Sequence, residues 1–67
     1  MTNFAEILKG LMKERNMIQV ELADALGVRQ SQVSNWVASK SLPGYKSLKR
    51  LSEFFGISAD KLLAGEV

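Results

Sequence analysis

The side chains able to do chemistry in this 67-residue chain are a restricted set: lysines, arginines, carboxylates, serines and carboxamides, with no histidine and no cysteine. Their absence removes the usual general base at neutral pH, the imidazole and thiolate metal ligands, and any disulfide. Glu21 and Asp24 stand one helical turn apart, but two carboxylates without further ligands read as a solvated helix face rather than a cation site. The serines and lysines fall in no motif with a partnering acid, base or nucleophile. A chain this short also encloses no substrate pocket of ordinary size. The expectation is a protein that is not an enzyme and has no metal, no cofactor and no evident small-molecule ligand. What remains is hydrogen-bonding chemistry. Gln30, Ser31, Ser34 and Asn35 recur on one side of a single helical segment, a row of amides and hydroxyls able both to donate and to accept. By itself such a row is an ordinary solvated face.

Charge distribution adds to this. From Ala25 to Ser52 there is no acid, and there are five bases: Arg29, Lys40, Lys46, Lys49 and Arg50. The rest of the chain holds four bases and all seven acids, so the formal net charge of +2 conceals a strongly positive segment on a slightly acidic remainder.

The elements that must position these groups are helices. Phe4, Ile7, Leu8, Leu11 and Met12 line one face of a segment from about Asn3 to Asn16. Asn3 and Glu6 have the spacing of a capping box, and Asn16 suits a left-handed stop. A second segment, Gln19 to Leu26, carries Leu22, Ala23 and Leu26 and stops at Gly27. In a third, from Gln30 to about Ser39, Val33, Trp36 and Val37 point inward, opposite the polar row; Trp36 is assigned to the core. A loop through Pro43 and Gly44 leads to a fourth, Tyr45 to Phe55, with Leu48, Leu51 and Phe55 inward, ended by Gly56. A fifth spans Ala59 to Ala64, with Ser58 as N-cap, Ile57 stapled onto Leu62, and Gly65 as its terminal cap. Strand signals, repeats and linkers are absent, so residues 1–67 are expected to form a single all-α domain. At this length it buries only about 60% of its unfolded surface. The longest apolar runs are two or three residues, too short for a membrane span, and no signal-peptide layout is present.

Gln19 to Val37 is the informative stretch. Ala23 is small enough for a second helix to cross closely over it. Gly27 supplies positive φ for a tight turn, and Val33 packs back into the angle between the two helices. Leu22, Leu26, Val28 and Trp36 fill the wedge. This is the pattern of a helix-turn-helix, with its second helix presented outward.

These residues resemble the Cro/repressor-type (Xre) helix-turn-helix family, with its lambda-repressor-like domain. The resemblance extends from about Phe4 to Gly65. It rests on Gln19-Val-Glu-Leu-Ala23, Leu26-Gly-Val28, Gln30 to Trp36, Lys40 with Leu42-Pro43, and Leu48 through Leu51 to Ser58 with Leu62-Leu63. It implies a compact five-helix bundle that binds double-stranded operator DNA in the cytoplasm, at the nucleoid. The third helix would enter the major groove, and a homodimer would form on a two-fold symmetric site. No separate oligomerisation or sensing domain is expected, so that dimer would use the domain itself.

The resemblance also assigns roles. Gln30, Ser31 and Asn35 fall where the family reads base edges; Asn and Gln can bond adenine bidentately, and Ser suits donor or acceptor. Ser34 shares their face, and Arg29 lies within reach of a guanine or a phosphate. Gln19 matches a phosphate-binding position at the start of the second helix. Gln32, Lys40, Tyr45 and Lys46 are further candidate phosphate contacts, with a base contact left open for Gln32; Lys49 and Arg50 lie one turn further on. Phe54 and Ile57 are candidate dimer contacts, an exposed aromatic being enriched at interfaces without being diagnostic.

The chain departs from the family pattern at three places. Ile18 stands where Ser or Thr usually caps the second helix. Met12 and Val37 stand where relatives often have Arg and Glu in a partly buried ion pair; losing both together avoids stranding a charge, and the two are expected to touch. Ser39 stands where Gly is frequent. The alternative function for such a chain is a protein-interaction module, such as an antitoxin or antirepressor partner, because the fold alone does not decide function.

Overall fold

A computed structural model describes residues 3–63. Among them are five helices and no strand: α1 (Phe4–Glu14), α2 (Gln19–Leu26), α3 (Gln30–Val37), α4 (Tyr45–Phe55) and α5 (Ala59–Leu62). No helix among them is long and apolar enough to cross a membrane. The bounds of α2 and α4 match the sequence expectation. The segment expected to reach Asn16 leaves the helix after Glu14, and the one expected to reach Ser39 leaves it after Val37. The expected end of the fifth helix at Ala64 and its cap at Gly65 lie outside the described residues.

One device accounts for the first four helix ends. Each helix stops at a residue in the left-handed region: Asn16 (φ 54°), Gly27 (φ 70°), Ser39 (φ 60°) and Gly56 (φ 70°). The next residue then donates its N–H five residues back. Met17 donates to Met12 (2.9 Å), Val28 to Ala23 (3.0 Å), Lys40 to Asn35 (2.9 Å) and Ile57 to Ser52 (3.2 Å). These closures satisfy carbonyls that the last turn of a helix leaves open. Glycine and asparagine tolerate this conformation, whereas serine is strained there by about 1–2 kcal/mol. Ser39→Gly is therefore expected to stabilise the domain by about 1 kcal/mol, or about 4–8 °C in Tm. Thermal unfolding by circular dichroism checks this, and an unchanged or lowered Tm would count against the strain.

Helix starts are less uniform. Asn3 caps α1 by accepting from the Glu6 N–H at 3.0 Å. The Glu6 carboxylate meets Lys9 Nζ at 3.3 Å. Ser58 caps α5 as expected, accepting from the Lys61 N–H.

The core consists of Phe4, Leu8 and Met12 from α1, Leu22, Ala23 and Leu26 from α2, and Val33 and Trp36 from α3. Leu51 and Phe55 of α4 and Leu62 of α5 complete it. Ile7, Leu11, Val28, Val37, Leu48, Phe54 and Ile57 pack half-buried around it. Leu62 is buried in the core and Ile57 is packed half-buried against it. Helix α3 packs on α2 and α1, and α4 packs on α2 and α5. Thus α3 is backed on one side and free on the other. Where α1 ends, the Arg15 guanidinium lies 5.1 Å from the centroids of both the Phe54 and Phe55 rings, which meet edge to face at 5.0 Å.

Candidate nucleic-acid interface

The turn between α2 and α3 is two residues, Val28 and Arg29, beyond the left-handed Gly27. Leu22, Ala23, Leu26, Val33 and Trp36 are buried in the wedge, and Val28 is half-buried at its mouth. Because Val33 and Trp36 are held at 0% and 3% exposure, the opposite face of α3 is fixed outward by helical geometry. On it Gln30, Ser31, Ser34 and Asn35 are all exposed. None of these four side chains is hydrogen-bonded within the described residues. Their amides and hydroxyls are free for an external partner.

Gln32 is engaged differently. Its Oε1 accepts from the Arg29 backbone N–H at 3.0 Å, the reciprocal half of a capping box. Arg29 has no acceptor atom with which to supply the other half. The Gln32 amide NH₂ group remains outward as a donor. Helix α2 starts in the same way: the Ile18 N–H donates to Glu21 Oε1 at 2.9 Å. Ile18 offers no side-chain cap, and its side chain is 62% exposed. The amides at the start of α2 therefore stay open toward solvent beside Gln19, which is half-buried as the first residue of the helix.

The cations of the acid-free segment are exposed and not neutralised by an ion pair among the described residues. Arg29, Lys40, Lys46 and Lys49 are exposed, and the one ion pair among the described residues is Glu6–Lys9 on α1. Tyr45, at the start of α4, is 80% exposed, so its hydroxyl is free in solvent. Phe54 and Ile57, by contrast, are half-buried and contribute to the packing around the core.

Arg50 is exposed like the other bases of the segment, but one of its nitrogens is already engaged within the fold. Its Nη1 donates to the Leu26 carbonyl at 2.9 Å. The closure of α2 engages the carbonyls of Ala23 and Asp24, and Arg50 serves that of Leu26, the last residue of the helix, at the negative end of the helix dipole. A charge-assisted bond of this kind contributes about 1.5–3 kcal/mol. Helix α2 has no basic residue in its own last turn, so this cation comes from another helix.

A wedge closed on Gly27, an outward polar helix and exposed cations define a helix-turn-helix domain. The helix-turn-helix family model matches residues 8–62, and the chain belongs to that family. It is 40% identical over 63 residues to the HTH-type transcriptional activator BcrR of Enterococcus faecalis, covering 94% of this chain and 31% of that protein. It is 35% identical over 66 residues to the repressor protein CI of Enterobacteria phage phi80, covering 98% of this chain and 28% of that protein. The chain thus spans about a third or less of the length of these two relatives. Among solved structures, it superposes on the P22 c2 repressor protein in complex with a synthetic operator. The TM-score is 0.90 and the identity 27%, covering 98% of this chain and all of that one. A transcriptional regulator from Listeria innocua superposes with TM-score 0.86 and 31% identity, covering 92% of this chain and 58% of that one.

Proposed function

We propose that this chain is a sequence-specific DNA-binding transcriptional regulator of the phage-repressor type, which inserts α3 into the major groove of a two-fold symmetric operator. The observation that carries the reading is the face of α3: four exposed amide and hydroxyl side chains without internal partners, on a helix bracketed along the chain by exposed Arg29 and Lys40, neither in an ion pair. Gln30, Ser31, Ser34 and Asn35 contact base edges, joined by Arg29. Gln19, the Gln32 amide, Lys40, Tyr45 and Lys46 contact phosphates and set the register. The likeness to a repressor bound to operator supports this reading. Two copies on DNA would place their α3 helices in successive major grooves about 34 Å apart, with the half-exposed parts of Phe54 and Ile57 meeting between them.

Binding to duplex DNA across a salt series tests the proposal. Affinity should fall log-linearly with salt, with a slope of several units set by the phosphates neutralised. Lys46→Ala should weaken all sequences about equally and flatten the slope by about one. No retention on DNA even at low salt would overturn the reading.

A further inference from the structure

Helix α4 and the α2–α3 turn are joined by a single hydrogen bond among the described residues, Arg50 Nη1 to the Leu26 carbonyl at 2.9 Å. The same nitrogen lies 3.5 Å from where a side chain on Gly27 would begin, so Arg50 sits against the turn itself. Its neighbours on α4, Lys46 and Lys49, are exposed cations with no ion pair among the described residues. The polar face of α3 starts three residues beyond Gly27.

We infer that Arg50 is a positioning residue for DNA discrimination: it fixes the register between the phosphate-gripping cations of α4 and the base-reading face of α3. This rests on the DNA reading proposed above. Helix α3 is packed by α2 and α1, and α4 is packed by α2 and α5. The grip and the reading face are therefore linked through α2 and its C-terminal turn. Apolar packing of α4 on α2 resists separation but only weakly resists sliding. A directional bond from a planar guanidinium to one carbonyl fixes the remaining freedom. If it is lost, the cations still find phosphates, but the four side chains of α3 no longer meet their bases in one register. The loss should fall on discrimination between sequences rather than on general affinity.

The test uses Arg50→Met and Arg50→Lys in the whole chain, with a duplex selected by the wild type and a scrambled duplex of equal length. Arg50→Met should lower affinity for the selected duplex about tenfold, leaving the scrambled duplex and the salt slope unchanged. Arg50→Lys should recover most of the loss, because an ammonium still donates to the Leu26 carbonyl. Equal loss on both duplexes with the slope reduced by about one would make Arg50 a phosphate contact and overturn the inference. So would unchanged affinity for both. Amide hydrogen exchange at Gly27 and Val28 without DNA separates this inference from the reading beneath it. Faster exchange in Arg50→Met, restored in Arg50→Lys, supports the clamp even if the wild type prefers no duplex, in which case the DNA reading alone fails. Unchanged exchange overturns the clamp. Should Arg50→Met not fold, Arg50→Ala, which also removes the donor and favours the helix, takes its place in both measurements.

Discussion

Met12→Arg alone is expected to cost about 3–5 kcal/mol, a large share of a total stability on the order of 3–10 kcal/mol. Met12 is 7% exposed and belongs to the core cluster, on a helix that packs against α3. A guanidinium there loses water, and the α3 residues in the same cluster, buried Val33 and Trp36 and half-buried Val37, offer it no acid. Val37→Glu alone should cost less, about 1–3 kcal/mol, because a half-buried carboxylate can still turn toward solvent. The double variant should be more stable than the sum of the single losses allows, by about 1–3 kcal/mol, as the two new charges pair. Urea unfolding of the four proteins gives the coupling energy. Additive losses would mean that the two side chains do not meet.

Asn35→Ala is the second large effect. The Asn35 side chain is exposed and without a partner, while its backbone carbonyl is held by the Lys40 N–H at 2.9 Å. The substitution therefore removes recognition chemistry without disturbing the helix end, and alanine favours the helix. A bidentate contact from a carboxamide to a base is worth about 1–3 kcal/mol of discrimination, or about 5- to 150-fold at each half-site. The expected result is relaxed preference at one base pair per half-site, the other positions and the salt slope being retained. A preference profile identical to the wild type would remove Asn35 from the reading face.

Much of this was legible in the sequence because the signals were local. Gly27 and Gly56 announced their turns, since few other residues accept positive φ. Asn16 did so more weakly, and the periodicity of Val33 and Trp36 located the free face of α3. Ser39 hid a left-handed residue behind a side chain that does not advertise one, so the segment looked like one more turn of helix. Half-formed caps were equally obscure. Ile18 and Arg29 are poor cap residues, and their N–H groups are instead held from three residues ahead by Glu21 and Gln32. Arg50 was beyond sequence reasoning for a different reason. Its partner is a backbone carbonyl 24 residues away, and neither spacing nor composition distinguishes a cation that closes a helix from one that faces a phosphate. The charge asymmetry thus predicted five exposed cations, and all five are exposed, one of them bonded to a backbone carbonyl.

Selection of bound duplexes from a random pool asks most directly whether α3 reads sequence. Enrichment of a two-fold symmetric site whose half-sites lie about one helical turn apart is the expected result, with the enriched bases altered when Asn35 is replaced. A pool that stays random at every salt concentration, though the protein is folded, would contradict sequence recognition by this face.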